Sequence, residues 1–250
     1  MSGHSHWAGI KHKKALIDAK RGKEWSKVAK SIIIAAKQGG GNPDDNIRLR
    51  AAIAEARAVN MPKDNITRAI KRGTGELDPV EYEEVLYEGY GPNGIAVMAA
   101  GLTDNRNRTA PEIRKIFEVC GGKLGQSGCV SWNFDKKGVI EVESGAKGEE
   151  EMMDLAIEAG ADDVESVEDA YKITCAPEAF DSVLEYLNGV NIQPIHAEIT
   201  YVPRDAMVID DLSVAQKALK LTDALDEHED IQNVSANFVI AESILAQLEE

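Results

Sequence analysis

Cations dominate the side chains that could act on another molecule. His4, His6, Trp7, Lys11, His12, Lys13, Lys14, Lys20, Arg21 and Lys23 form a basic segment with one interleaved aromatic ring. Such segments track phosphate backbones, and a Trp or His among the cations can stack on a base. Lys23, Lys27, Lys30 and Lys37 then fall on one side of a helix at about 100° per residue. The other reading is a disordered tail followed by a solvated helix face, and the alignment of the lysines favours nucleic acid over it. A second cationic segment, Thr103-Asp104-Asn105-Arg106-Asn107-Arg108-Thr109, stands between a strand end and a helix start. The N–H groups of a helix N-terminus favour anions, and Arg106 and Arg108 add charge-assisted donors. The same residues read equally well as turn and cap residues whose arginines pair with local carboxylates.

No enzyme constellation accompanies these cations. The only histidines beyond residue 12 are His196, in a strand, and His228, near a helix end, so no Ser/His/Asp or Cys/His pairing can be argued. Gly121–Gly128 is Gly-rich but follows a helix and precedes a strand, the reverse of a phosphate-binding loop. The acidic runs Glu149–Glu151, Asp162-Asp163 and Asp226–Asp230 lack the spacing of a calcium loop and read as solvated faces. Cys120, Cys129 and Cys175 have no C-x-x-C spacing and occupy apolar positions, as small hydrophobes do. Ser2-Gly3-His4 would suit a square-planar copper or nickel ion if Met1 were removed, but chance explains it better. The expectation is a protein without catalytic activity, metal or cofactor.

Charge is unevenly distributed over the 250 residues. Up to Gly75 there are 16 Lys and Arg against 6 Asp and Glu; beyond it there are 12 against 37. A net charge of −15 therefore hides a basic module joined to an acidic body, which points to a polyanion partner for the basic part. An apolar fraction of 43% describes a globular protein rather than a disordered one. The longest apolar run, Gly94 to Leu102, is about half the ~18 residues of a membrane span. With no apolar leader at the N-terminus either, a cytoplasmic protein without membrane contact is expected.

Three helices must position the basic module. Trp25, Val28, Ala29, Ile32, Ile33 and Ala36 mark the buried face of a helix over 24–37, which Gly39-Gly40-Gly41-Asn42-Pro43 stops. A helix over about 44–59 buries Leu49, Ala52, Ile53 and Ala56; a third, after Pro62, buries Ile66, Ala69 and Ile70. From there the pattern becomes strands at Glu81–Glu88 and Ile95–Thr103, a helix with a capping box at Thr109–Glu112, and a strand at Cys129–Phe134. Residues 138–202 carry the order βαββαβ of a ferredoxin-like split unit, beginning with a strand at Val139–Val142. A strand at Ala206–Ile209, a helix from Leu212 and a strand at Val234–Ile240 complete the chain. The expected class is a multidomain α+β protein: an all-helical domain over 1–78, a discontinuous α+β domain over 79–135 plus 204–250, and a ferredoxin-like α+β domain over 136–203 inserted in it.

His4–His12, Asp18–Lys23, Asn60–Ile66, Arg68–Gly75, Tyr87–Pro92 and Thr103–Thr109 together resemble the YebC/PmpR family, whose organellar relative is the translational activator of cytochrome c oxidase. The resemblance covers essentially the whole chain. It implies a helical N-terminal domain and two α+β domains around a cleft. It also implies a cytoplasmic bacterial protein, usually described as a probable transcriptional regulator that binds promoter DNA, with no established catalytic activity. Other members of the family act at the ribosome and ease translation through proline-rich stretches. His6, Gly9 and Lys13 depart from the residues usual in that family, and a neutral His6 would weaken one phosphate contact and make binding pH-sensitive.

The resulting expectation is a regulator of gene expression that binds DNA, with Lys11, Lys13, Lys14, Lys20, Arg21, Lys23, Lys27 and Lys30 on phosphates and Arg106 and Arg108 as a second anion site. Two alternatives stand beside it: a ribosome-associated translation factor contacting ribosomal or transfer RNA, and a protein-interaction adaptor using the acidic cleft.

Overall fold

The computed structural model describes residues 19–78, 80–167 and 170–248, with the backbone alone at 19–21 and 146. Helices α1 (Ala19–Gly39), α2 (Ile47–Ala58) and α3 (Lys63–Gly73) come first. Their apolar stripes, spaced three and four residues apart, close a core of Val28, Ile32, Ile33, Leu49, Ile53 and Ile66. Two polar groups fix the connections. Trp25 Nε1 donates to the Val59 carbonyl at 3.0 Å, tying the start of α1 to the end of α2. Buried Asn46 caps α2 by accepting the Leu49 N–H at 3.0 Å. Its amide nitrogen donates to the carbonyls of Ala35 near the end of α1 and of Gly40 just beyond it.

Strand β1 (Glu83–Tyr90), β2 (Ala96–Thr103), α4 (Arg106–Val119) and the short β3 (Lys123–Leu124) follow. Next come β4 (Phe134–Glu143), α5 (Glu149–Ala159), β5 (Asp163–Val167), β6 (Ala170–Cys175), α6 (Phe180–Gly189) and β7 (Pro194–Pro203). The last elements are β8 (Met207–Ile209), α7 (Leu212–Asp226), β9 (Ile231–Ala236), β10 (Phe238–Ile240) and α8 (Glu242–Leu248).

The chain forms two compact units, one of the residues up to Asn133 together with those from Pro203, the other of residues 134–202. The first unit contains the three helices and the sheet β3-β1-β2-β9. That sheet is antiparallel, and its core joins Ile95, Val97 and Val234 to Ile113 and Phe117 of α4 and Leu221 and Leu225 of α7. Strands β8 and β10 pair in parallel beside it. The second unit has the element order βαββαβ and the strand order β5-β6-β4-β7, with β6 antiparallel to both β4 and β5.

Three local expectations are corrected. Cys129–Phe134 is not a strand: a turn and a single 3-10 turn at Ser131–Asn133 precede β4, which absorbs the strand expected at Val139–Val142. The Glu88 carboxylate takes the N–H groups of Gly128, Val130 and Ser131, so those groups are not available to a neighbouring strand. Val234–Ile240 is split between two sheets at Asn237, whose side chain accepts the Ala96 N–H at 2.7 Å and whose own N–H donates to the Ala96 carbonyl at 3.1 Å. The helix expected to start at the Thr109–Glu112 box starts at Arg106, capped by Asn105.

Asn46 serves both ends of the α1–α2 connection. Asn46→Ala removes a cap and the side-chain bonds to the Ala35 and Gly40 carbonyls, so unfolding in denaturant is expected to shift by about 2 kcal/mol, against a few tenths for an exposed position such as Thr67→Ala.

Candidate functional site

The strongest polar constellation among the described residues centres on Asp230, which has no exposed surface. Its Oδ1 receives Lys30 Nζ from α1 at 2.5 Å. Its Oδ2 receives the Arg108 guanidinium at 2.7 Å and the hydroxyls of Thr109 at 2.7 Å and Thr103 at 3.1 Å. Backbone groups hold the aspartate in place. Its carbonyl accepts the Leu102 N–H at 2.8 Å, and its N–H donates to His228 Nδ1 at 3.1 Å. The β2–β9 register shifts at Ala100/Gly101, where a Cβ on residue 101 would overlap the Asp230 carbonyl, so only glycine fits.

Lys30 is the correction with most consequence. Expected on the solvated face of α1, it is only 6% exposed. Besides Asp230 it donates to the carbonyls of Glu229 at 2.9 Å and Leu102 at 3.3 Å, and its Nζ lies 5.6 Å from the centre of the Tyr82 ring. Lys27, one turn earlier and half-buried, donates to the backbone carbonyl of Asp226 and stands 3.5 Å from its carboxylate. Within the acidic run Asp226–Asp230 the two ends are thus not a solvated face: Asp226 and Asp230 receive Lys27 and Lys30, while Glu227 and Glu229 are exposed.

Arg106 and Arg108 are likewise occupied. Arg106 pairs with Glu83 at 2.6 Å and donates to the Glu84 carbonyl at 3.0 Å. Arg108 adds Asp104 at 3.1 Å and Glu229 at 3.9 Å to its bond with Asp230. Of the two readings of the 103–109 segment, the geometry has the cap residue and the arginines on local carboxylates. Lys23 and Lys37 are exposed, whereas Lys11, Lys13, Lys14 and the side chains of Lys20 and Arg21 lie outside the described residues, as do His4, His6 and Trp7.

A cationic surface lies elsewhere, on α3. Arg68, Lys71 and Arg72 are exposed and, three and four residues apart, share the face opposite buried Ile66 and Ala69. None of the three forms an ion pair among the described residues, and Arg57 and Lys63 are also exposed. The spacing was present in the sequence, but the lysines of α1 presented a more regular stripe. Burial pushes the thiols of Cys120 and Cys129 up, and that of Cys175 to about 11, which disfavours the thiolate.

Burial opposes ionisation of Asp230, but the bonds from Lys30, Thr109 and Arg108 outweigh it and hold its carboxyl well below the usual range. A group depressed in the fold stabilises fully above its unfolded pKa, about 3.9, and loses that contribution as the pH falls below it. Asp230→Asn leaves Lys30 buried without its counter-ion, an expected loss of about 3–5 kcal/mol at neutral pH. Urea unfolding followed from pH 7 to about pH 3 is expected to show a shallower acid limb in that variant than in the parent.

Comparison with known proteins agrees over the whole length. The model of the TACO1/YebC N-terminal domain matches residues 5–76, and that of the TACO1/YebC second and third domain matches residues 82–238. A "probable transcriptional regulatory protein" of Dictyoglomus turgidum is 52% identical over 250 residues, covering 99% of this chain and all of that one. One of Rhodopirellula baltica with the same description is 55% identical over 238 residues, 95% of this chain and 96% of its own. The crystal structure of a conserved hypothetical protein from Aquifex aeolicus superimposes with a TM-score of 0.86 at 50% identity, covering 96% of this chain and 99% of that one. With both family models matched in order along one chain, this protein belongs to the TACO1/YebC family.

Proposed function

We propose that this chain is a non-enzymatic, cytoplasmic regulator of gene expression that binds duplex DNA through its basic helical segment. The observation that carries the reading is the face of α3, where Arg68, Lys71 and Arg72 stand exposed and without ion-pair partners among the described residues. Cations on a rigid helix suit the phosphate backbone, and Lys23 and the N-terminal cations extend the same charge along the sequence. The relatives described as probable transcriptional regulatory proteins support the regulatory role. No helix among the described residues is long and apolar enough to cross a membrane.

Lys27, Lys30, Arg106 and Arg108 drop out of the contact set, because each is engaged by carboxylates or carbonyls of its own chain. Phosphate contact by exposed cations carries little sequence information, so specificity must come from the shape of the partner or from a further contact.

Replacing Arg68, Lys71 and Arg72 together by Glu leaves the apolar face of α3 intact and is expected to preserve the fold. Retardation of a duplex oligonucleotide at several salt concentrations should show weaker binding and a log–log salt slope shallower by about three. An unchanged slope would remove α3 from the interface. Loss of ribosome co-sedimentation with duplex affinity intact would favour the translation-factor reading.

A further inference from the structure

Trp132 is the most exposed aromatic residue among the described large hydrophobic ones, at 64%, and Tyr90 at 40% is the other. Isolated aliphatic residues on a surface are ordinary, but two aromatic rings held open together are not. The Trp132 indole N–H donates to the Cys129 carbonyl at 3.1 Å, and the Tyr90 hydroxyl donates to the same oxygen at 2.8 Å. The polar tips of both rings therefore meet at one atom. The loop that carries this carbonyl is itself held: the buried Glu88 carboxylate accepts N–H groups of Gly128 at 2.7 Å, Val130 at 3.0 Å and Ser131 at 2.9 Å. Gly128, at φ +89°, takes a conformation that a side chain would strain. Lys123 of β3 is the cross-strand partner of Tyr90 and is exposed, which puts an ammonium on the same face of the sheet.

We propose that Trp132 and Tyr90 form a stacking platform for the unpaired bases of single-stranded nucleic acid, with Lys123 on the adjoining phosphate. A ring face offers every base a π-surface, and stacking of this kind is tolerant of sequence. The exposed ammonium of Lys123 suits a phosphate, while the ionised Glu88 carboxylate of the site is buried and turned onto three backbone N–H groups rather than toward the surface. A proline-rich peptide would also lie on aromatic rings, but peptide carbonyls call for donors. Both donors of these rings are already given to Cys129. A duplex, whose bases are stacked on one another, gains nothing from the platform. This surface is therefore separate from the phosphate contacts of α3 and stands or falls apart from them.

The full-length protein is titrated with a fluorescein-labelled 12-nucleotide oligo-dT and with the same strand annealed to oligo-dA. Trp132→Ala is expected to weaken oligo-dT binding by about 5- to 100-fold and duplex binding by less than twofold, with an unchanged melting temperature. Trp132→Phe, which keeps a ring face, should recover most of the loss. In the parent protein, an oligonucleotide carrying 5-iodouracil should cross-link on irradiation to the peptide containing Trp132. The proposal is overturned if the parent fails to bind oligo-dT, if Trp132→Ala binds it within twofold of the parent, or if no cross-link maps to that peptide. It is equally overturned if Trp132→Ala loses a labelled proline-rich peptide and not oligo-dT. Duplex binding that still depends on Arg68, Lys71 and Arg72 would leave the α3 interface standing in each of those cases.

Discussion

The bond between Lys30 and Asp230 decides what the charges of the first unit can do. Two ionised groups 2.5 Å apart, 6% and 0% exposed, tolerate burial only together. Such a pair adds little net stability over a well-packed apolar contact, yet either charge alone in the same place is strongly destabilising. Its effect is one of placement. Asp230 reads three elements at once through its carboxylate, taking Lys30 from α1, Thr103 from the end of β2 and Arg108 and Thr109 from the first turn of α4. Within the first unit, the basic helices are therefore joined to the sheet and its acidic loop by the very charges that distinguish them.

This placement divides the cations into two groups. Those facing the sheet, Lys27 and Lys30, are neutralised by Asp226 and Asp230, and Arg106 and Arg108 by carboxylates close to them. Those on the outward face of α3 keep their charge for another molecule. A lysine stem can lie along apolar surface while its head reaches a carboxylate, so burial of a lysine stripe does not conflict with the packing of α1. The acidic excess of the rest of the chain disfavours broad contact with a polyanion, so duplex contact is expected mainly on the cationic helix.

The helices and most strands were legible because periodicity is local: the inward residues of α1, α2 and α3 are those the spacing named. The lysine stripe was legible as a stripe and misleading as a surface. Lys30 and Asp230 are 200 positions apart, and nothing in either segment records that they face each other. Equally, Cys129–Phe134 has strand-forming residues, and only Glu88, 40 positions before Gly128, turns it into a loop. Thr109, read from the sequence as the start of a capping box, instead gives its hydroxyl to Asp230, while Asn105 caps the helix. Resemblance reached further than composition, since it gave the family; the α1 lysines and the 103–109 arginines entered the candidate site from helical spacing and from their place at a helix start, neither of which records their partners.

The division of the cations is tested most directly by Lys30→Met, with unfolding in urea and affinity for a duplex oligonucleotide measured on the same protein. Stability is predicted to fall by about 3–5 kcal/mol, because Asp230 is left buried without its lysine, while the affinity of the folded protein stays within about twofold of the parent. Unchanged stability together with a tenfold or greater loss of affinity would contradict the account. Lys30 would then contact phosphate, and the ion pair with Asp230 would not be what joins the helices to the sheet.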